Sequence, residues 1–276
     1  MPELPEVEHM TERLQRWVGY SIQSTSATHP RYFPDEEAAE PVGQKINGVY
    51  RRGKYIIFAL DHGALLCHNA MSGYWDTADD PWTFDYVEGK REARESDVRA
   101  KLVVCQPSLP LHTAQVLRFH DARKFGSLRY LEVDQFAAKL SELGPDALQT
   151  KHLYEPSSVI DPEKWIDVVL ASKKPIKVLL MDQTKLAGVG NIYAAEGCWA
   201  ARVNPFRPGA DLSEAEAEQV LLSTQAVMEA MIDYKINYKQ LRVYRRAACP
   251  AMSCGSRIVG EELAGRTTWY CPRCQK

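Results

Sequence analysis

Four cysteines close to the C-terminus constrain the fold of this chain more than any other feature of its sequence. They form a Cys-x4-Cys pair and a Cys-x2-Cys pair separated by sixteen residues: Cys249, Cys254, Cys271 and Cys274. Pairs with this spacing are typical of two knuckles that close one tetrahedral zinc site of four thiolates. Two disulfides or four free thiols are the alternatives. The chain shows no secretion signal and the cysteines are clustered, so we expect one structural Zn²⁺.

The other three cysteines stand singly in apolar segments, at Cys67, Cys105 and Cys198. A cysteine nucleophile would need a pattern of histidine and acidic residues, and none accompanies any of the three. We therefore predict that they are small buried hydrophobic residues.

The overall charge is nearly balanced, but its distribution along the chain is not. The 276 residues carry 34 Lys and Arg against 36 Asp and Glu, which taken alone argues against a nucleic-acid partner. Residues 235–276, however, contain nine Lys or Arg against only Glu261 and Glu262. Residues 79–97 are rich in acidic side chains and predict a polar loop turned to solvent. The sequence therefore allows one basic face that could bind phosphate, while an acidic region elsewhere keeps the net charge near zero.

The composition is that of a soluble globular protein, with 45% hydrophobic and 25% charged residues. No run approaches the roughly 20 apolar residues that cross a bilayer, and the start MPELPEVEHM lacks the pattern of a secretion signal. We expect a cytoplasmic monomer with no membrane partner. The length suggests two domains and a small appendage.

The pattern of hydrophobic residues changes twice along the chain. From Pro5 to Gly19 the apolar residues recur at helical spacing, which predicts one amphipathic helix. Between about 20 and 133, short runs such as KYIIFAL and KLVVCQ predict a β-sandwich or barrel. Helical stretches then follow near 162–172, 175–182, 191–202 and 213–232. We place three domains at 1–133, 134–240 and 241–276.

The chain begins Met-Pro-Glu, which offers an N-terminal nucleophile. Removal of the initiator Met would leave Pro2 with a free amine, whose pKa of about 7.7–8.0 keeps a useful fraction neutral at physiological pH. Such an amine can attack an aldehyde-like carbon, while the neighbouring Glu3 moves protons. The alternative is structural: Pro2 and Pro5 stiffen the terminus, and Glu3 and Glu6 complement the dipole of the following helix.

A glycine turn joins two helical patterns in the segment AGVGNIY, residues 187–193. A dinucleotide-binding fingerprint would require a preceding strand and a third glycine at position 193, which is Tyr, so that interpretation fails. What remains is Asn191 at a predicted helix N-cap. It either caps the helix or presents its amide and free backbone N–H groups to a phosphate, and the segment alone favours neither.

Two further segments, HNAMSG around Met71 and RFHDARKFG over residues 118–126, are ambiguous by themselves. A single Met is usually part of a core. Arg123, Lys124 and Phe125 before a glycine are, however, suited to a tip that pushes an apolar wedge into a base stack while basic groups hold phosphates.

Taken in order, these segments resemble the formamidopyrimidine-DNA glycosylase and endonuclease VIII family of base-excision repair enzymes, nearly end to end. The matching motifs are PELPEVE, RRGKY, MSG, DARKFG, LGPDAL, MDQ, AGVGNIYAAE and GRTTWYCPRCQ. Leu4 favours the formamidopyrimidine glycosylase branch, because the other branch usually has Gly there. The resemblance implies an α+β multidomain fold: an N-terminal β-sandwich with flanking helices, a helical domain with a helix-two-turns-helix motif, and a zinc-ribbon β-hairpin.

The resemblance also implies an activity. The chain would be a bifunctional glycosylase and lyase that flips an oxidised base out of damaged double-stranded DNA. Pro2 would attack the anomeric carbon and form a Schiff base, and Glu3 would protonate the sugar ring oxygen. Strand cleavage by β and δ elimination would follow, and Glu6 would help to hold the terminal segment.

The remaining roles implied by the resemblance concern DNA contacts and the metal. Three residues would grip phosphates around the extruded nucleotide without reading sequence: Lys54, Asn191 and Arg266. Three others would fill the gap left in the base stack: Met71, Arg123 and Phe125. The four C-terminal cysteines would hold the zinc ion.

Three departures from the family pattern stand out. The first cysteine knuckle is two residues longer than the usual Cys-x2-Cys, so we expect a bulge at residues 251–253. Asn69 and Ala70 precede Met71, where the family usually has Leu and another residue. Between Asp233 and Val243 the chain is short, where relatives that read oxidised purines carry a longer Gly-rich loop, and the preferred lesion stays open.

Two other functions are compatible with the sequence. A catalytically silent protein that binds abasic or distorted DNA would fit the short segment after Asp233. A protein-binding zinc ribbon on an unrelated barrel would lack salt-dependent affinity for DNA.

Overall fold

The computed structural model describes residues 2–34, 37–81 and 94–276, together with the backbone of residues 85–86 and 89–90. The chain divides into two compact units. The first holds Pro2, Glu6–Glu142 and Thr150–Tyr154, and the second holds Glu3–Pro5, Leu143–Gln149 and Glu155–Lys276.

Six α-helices occur among the described residues: α1 Leu4–Leu14, α2 Val133–Ser141, α3 Pro162–Leu170, α4 Ile176–Met181, α5 Asn191–Ala200 and α6 Glu214–Asp233. The strands of the first unit are β1 Ser21–Ala27, β2 Gly48–Arg52, β3 Tyr55–Ala59, β4 Ala64–His68, β5 Tyr74–Asp76, β6 Asp85–Tyr86, β7 Gly89–Lys90, β8 Val98–Cys105, β9 Gln115–His120 and β10 Ser127–Leu131. The strands of the second unit are β11 Val259–Leu263 and β12 Arg266–Tyr270.

Two four-stranded antiparallel sheets form the body of the first unit. One has the order β1-β8-β9-β5, and the other has the order β10-β4-β3-β2. Side chains of both sheets meet in a single apolar core, for example Leu102 and Phe119 from one sheet and Phe58 and Leu65 from the other. This is the predicted β-sandwich, because the inner faces interdigitate while alternate residues point to solvent.

The sequence pattern found most of these strands but missed two. Strand β1 has the sequence SIQSTSA, which is too polar to stand out, and β5 is only three residues long. The acidic stretch predicted as a solvent loop, residues 79–97, lies partly outside the described residues. Within it, β6 and β7 form a short antiparallel ladder.

Helix α1 packs on the sandwich core through its predicted apolar stripe. Val7 and Met10 are completely buried, and Leu14 is nearly so. The α-helix is shorter than predicted, because Gln15–Trp17 form a 3₁₀ turn. Gly19 then ends the segment with a φ of 94°, a conformation that glycine adopts without strain.

Helices α3 to α6 form the core of the second unit, at the positions that the helical spacing predicts. Helices α5 and α6 approach closely because Gly197 has no side chain; a Cβ atom there would overlap the Thr224 side chain. Trp165 of α3 is buried and donates its indole N–H to the carbonyl of Ala217 in α6, at 3.1 Å. The predicted helical domain is confirmed.

The C-terminal part of the second unit is a β-hairpin of β11 and β12. The turn between the strands contains Ala264 and Gly265 with φ of 50° and 73°. The four C-terminal cysteines gather beside this hairpin. The α+β fold class predicted from the sequence is therefore confirmed.

No helix among the described residues combines the length and the apolar character needed to span a membrane.

Candidate functional site

The carboxylate of Glu3 is bound by the first turn of helix α5. Its Oε1 accepts the backbone N–H of Ile192 at 2.9 Å, and its Oε2 accepts that of Tyr193 at 3.2 Å. Glu3 is completely buried. A helix N-terminus leaves its first N–H groups unpaired and carries positive partial charge, so it is a suitable seat for a carboxylate. The acid next to Pro2 is thus held in one fixed position.

The two glycines of the AGVGN segment make room for the Glu3 carboxylate at this helix N-terminus. A Cβ atom at Gly190 would overlap the Glu3 carboxyl group, and one at Gly188 would overlap the Leu4 side chain. Gly188 also has a φ of 108°, which side-chain-bearing residues rarely adopt. The glycines therefore allow the N-terminal segment to approach the turn closely. They do not form a dinucleotide-binding loop.

Gln183, the last residue of the MDQ motif, shapes the same turn. Its side-chain carbonyl accepts the Gly188 N–H at 3.0 Å, and its amide donates to the carbonyl of Val189 at 2.8 Å. The Gly188 carbonyl in turn accepts the N–H of Leu4 at 3.1 Å. Backbone and side-chain bonds thus fix the terminal segment on the turn.

Asn191 does not cap helix α5, which corrects the sequence prediction. Gly190 occupies the N-cap position, and Asn191 is the first residue of the helix. Its side-chain amide donates to the carbonyl of Thr267 in the zinc hairpin at 3.2 Å, and its side-chain carbonyl accepts a bond from Lys177 Nζ. The physical reason is that a glycine at the N-cap leaves the following side chain available for tertiary bonds.

Lys177 is a buried cation beside Asn191 that sequence reasoning missed. It lies on α4, is 1% exposed, and also donates to Thr268 Oγ1 at 2.9 Å. Burial lowers the pKa of Lys177 to about 8, and the nearby Glu3 partly opposes this shift. A lone Lys in the apolar run PIKVLLM was the available signal, because lysine is seldom fully buried without a role.

Arg266 lies at the start of β12, exposed, one residue before the Thr267 carbonyl that holds Asn191. After burial, its positive charge also lowers the pKa of Lys177. Glu3, Asn191 and Arg266 therefore belong to one region of the second unit.

Met71 and Arg123 meet in the first unit, on the loops after β4 and β9. The Arg123 guanidinium lies 3.6 Å from the Met71 sulfur. Met71 is 36% exposed, and Phe125, two residues beyond Arg123, is 57% exposed. The structure thus brings the three proposed wedge residues onto two adjoining surface loops.

A buried acid, Asp121, ties these two loops together; it opens the DARKFG motif, but the sequence analysis assigned it no role. It accepts bonds from the Ser72 hydroxyl and, at 2.7 Å, from the Gly126 N–H. Tyr32 donates to it at 2.9 Å, and the Arg123 N–H donates to Ser72 Oγ at 3.0 Å. Burial, followed by the bond to Asp121, raises the pKa of Tyr32. Both wedge loops are therefore fixed from within the fold.

Lys54 lies in the turn between β2 and β3. Burial, followed by the positive charge of Lys54, lowers the pKa of His68 to about 4. His68 is the last residue of β4, which leads into the Met71 loop. Lys54 therefore lies at the end of the sheet that carries the wedge loop.

Glu8 of the PELPEVE motif anchors helix α1 in the first unit. It accepts from Arg51 Nε at 3.0 Å, from Thr150 Oγ1 at 2.7 Å and from the backbone N–H of His152 at 3.1 Å. Arg51 is completely buried. Sequence reasoning missed this role of Glu8. Pro2 and Glu6, the other predicted residues of this motif, are also buried in the first unit.

The three scattered cysteines are buried, as predicted. Burial raises the pKa of Cys198 to about 12 and also raises that of Cys67, so both thiols stay protonated at neutral pH.

The C-terminal cysteines have the geometry of a zinc site. All four Sγ atoms lie within 4.8 Å of one another. The separation is 3.8 Å between Cys249 and Cys274 and 3.7 Å between Cys254 and Cys271. Zn–S bonds of about 2.3 Å in a tetrahedron place sulfurs roughly 3.8 Å apart, so the donor set fits one Zn²⁺.

Three protein-family models match successive parts of the chain. The formamidopyrimidine-DNA glycosylase N-terminal domain matches residues 1–128, and the H2TH domain of the same enzyme matches residues 143–241. A zinc finger found in FPG and IleRS matches residues 249–276. With the geometry of the cysteines, this last match gives the chain one structural zinc.

Known proteins match over the whole chain. The formamidopyrimidine-DNA glycosylase of Geobacillus kaustophilus is 32% identical, and that of Vibrio cholerae is 29% identical, each with 100% of both chains covered. The Lactococcus lactis enzyme, solved bound to DNA with an abasic site, is 30% identical with a TM-score of 0.82 and 100% of both chains covered. A second structure, MutM in complex with DNA containing carbocyclic 8-oxoguanine, is 29% identical with a TM-score of 0.82, again over 100% of both chains. This chain therefore belongs to the formamidopyrimidine-DNA glycosylase family.

Proposed function

We propose that this chain removes oxidised bases from double-stranded DNA and then cleaves the strand, with Pro2 as the nucleophile. As a member of its family the chain is a DNA glycosylase of base-excision repair with abasic-site lyase activity. The observation that carries the residue assignment is the buried Glu3 carboxylate, held by two backbone N–H groups next to Pro2.

The chemistry starts with the N-terminal amine. Once Met1 is removed, the lone pair of Pro2 attacks C1′ of the damaged nucleotide, the glycosidic bond breaks, and the base leaves with the proton that the amine nitrogen gives up. Glu3 supplies a proton to the ring oxygen, so that the sugar opens to an iminium ion. Loss of a proton from C2′ then expels the 3′-phosphate, and a second elimination expels the 5′-phosphate.

We assign DNA binding to the side chains of two basic residues and one asparagine. Lys54, Asn191 and Arg266 contact the phosphates around the extruded nucleotide, because they present donors without a base-reading geometry. The buried Lys177 supports this role by orienting the Asn191 side chain. Phosphate contacts of this kind position the strand and make affinity depend on salt.

Met71, Arg123 and Phe125 fill the space that the flipped base leaves. Unstacking a base costs a few kcal/mol, and apolar groups inserted into the gap offset this cost. The exposure of Met71 and Phe125 supports the assignment, since large apolar side chains otherwise avoid solvent.

Borohydride trapping tests the proposal directly. A hydride adds to the iminium carbon and converts the transient Schiff base into a stable amine that links protein and DNA. Wild-type protein, shown by intact mass to lack Met1, should form this adduct with abasic DNA and with duplexes carrying oxidised bases. Mass spectrometry of the trapped peptide should place the link on Pro2.

Two controls make the result decisive. A chain that retains Met1 has no free proline amine and should give no adduct, while it should still bind abasic DNA. If the processed wild-type protein binds abasic DNA but gives no adduct with any lesion, it is the catalytically silent binder. A panel of 8-oxoguanine, formamidopyrimidine, hydantoin and oxidised pyrimidine duplexes identifies the preferred lesion.

We also propose that the chain has three domains, at residues 1–133, 134–240 and 241–276. We further propose that the protein acts as a cytoplasmic monomer. The breaks between the three family matches, near residues 128–143 and 241–249, support the proposed domain limits.

A further inference from the structure

The thiolates of the zinc site receive N–H donors from unequal sources. The Cys271 sulfur accepts the backbone N–H of Cys274 at 3.4 Å. Four thiolates around one Zn²⁺ carry an excess of negative charge, and donors of this kind stabilise it.

In the described part of the chain, the bonds of the Cys249 sulfur include none from a backbone N–H. Cys249 is followed by Pro250, which has no N–H, and four residues separate it from Cys254 in place of the two in the second knuckle. In the part of the chain that the structure describes, one N–H donates to the Cys249 sulfur: the indole Nε1–H of Trp199, at 3.4 Å. The longer first knuckle and the indole donor therefore occur at the same ligand.

Trp199 is well placed to keep this bond. It lies in the last turn of α5 and packs, partly buried, against the cluster formed by Ala195, Cys249 and Cys271. A buried indole N–H usually finds an acceptor, and the thiolate is its acceptor in this structure. Trp269 packs on the same cluster, and within the described part of the chain its indole N–H makes no bond to a cysteine.

We propose that Trp199 is a positioning residue of the zinc site, which supplies to the Cys249 thiolate the hydrogen bond that the Cys-x4-Cys knuckle does not. The bond favours the metal-bound state, because a donor is held more strongly by a thiolate than by the protonated thiol of the metal-free protein. Loss of an outer-shell partner typically costs 10–100-fold in metal affinity.

The proposal concerns the metal and does not depend on the DNA chemistry. Zinc affinity is measured on the full-length chain by competition with a chromophoric chelator. Trp199→Phe should raise the zinc dissociation constant about 10–100-fold, since it keeps an aromatic ring but removes the donor. Trp269→Phe is the matched control and should stay close to wild type.

A spectroscopic measurement separates hydrogen bonding from packing. In the Co²⁺-substituted protein, the N–H bond stabilises the sulfur electrons, so its loss in Trp199→Phe should move the thiolate-to-metal charge-transfer band to longer wavelength. Trp269→Phe should not move it. Circular dichroism checks the fold, and a benzothienylalanine at position 199, which has no N–H, replaces the phenylalanine if that variant does not fold.

Either of two results overturns the proposal. One is a wild-type zinc affinity and an unshifted Co²⁺ spectrum in Trp199→Phe. The other is an equal loss of affinity in both variants, which would mean that the aromatic cluster acts through packing alone.

Discussion

Glu3 Oε1 lies 2.9 Å from the backbone nitrogen of Ile192, so the acid that follows Pro2 is bound by the first turn of helix α5. The same helix places Asn191 at its start and Trp199, the donor to a zinc ligand, in its last turn. One helix therefore positions the terminal acid, the Asn191 amide that we propose to bind phosphate, and a donor to the zinc site.

Replacing Glu3 by Gln should slow base removal strongly while leaving the fold intact. The amide cannot give up a proton to the sugar, and its NH₂ group would face an N–H donor of α5. General acid catalysis contributes roughly 10²–10⁴-fold, so single-turnover excision of an oxidised base should fall by that factor. Borohydride trapping on abasic DNA should fall less, because no base has to leave. An excision rate within a few fold of wild type would contradict the role of Glu3.

Gly190→Ala should displace Glu3, because the new methyl group would overlap its carboxyl group. Overpacking of this kind costs about 1–3 kcal/mol of stability. We expect at least a roughly 100-fold loss of excision rate, since a small misplacement of a catalytic group has an effect of that size. Thermal unfolding and single-turnover kinetics measure the two effects.

Gly43→Ala is the control for this change. Gly43 has a φ of 86° but open space around it, so alanine there strains the backbone without touching the site. It should lose a similar amount of stability, about 1–2 kcal/mol, and keep its activity. Equal activity losses in both variants would show that Gly190 acts through stability alone.

The sequence predicted those features that leave a local pattern. Cysteine spacing indicated the zinc site, and the alternation of β-branched residues indicated most strands of the sandwich. Lys177, Asp121 and Glu8 were missed, because each is a single charged residue whose burial and partners arise only when distant segments come together. The N-cap of helix α5 was predicted at Asn191, because Asn is the commoner cap residue. The actual N-cap is Gly190, one residue earlier.

Lys177→Met should change how stability depends on pH. The pKa of Lys177 is lowered to about 8 in the folded chain, below its ordinary value of 10.5, so the unfolded chain binds more protons between those values. Wild type should therefore gain stability relative to Lys177→Met as the pH rises from 8 to 10.5, by up to about 3 kcal/mol. Below pH 8 the difference should be constant.

Urea unfolding of both proteins across this pH range measures the effect. Lys185→Met, at an exposed lysine, serves as the control and should show no such trend. A stability difference between wild type and Lys177→Met that stays flat from pH 8 to 10.5 would mean that the lysine remains charged in the folded state.

Asp121→Asn should loosen both wedge loops. The amide can still accept one bond, but its NH₂ group would face the donor of either Ser72 or Gly126. Losing bonds to a buried charged group costs about 1.5–3 kcal/mol each, so thermal stability should fall clearly. Affinity for duplexes with a stable abasic analogue should also fall, because Met71 and Arg123 lose their common support.

Fluorescence anisotropy measures that affinity, and Asp233→Asn, at an exposed helix end, should match wild type in both assays. If Asp121→Asn loses stability but binds the abasic duplex as tightly as wild type, the wedge loops do not depend on Asp121 for DNA contact.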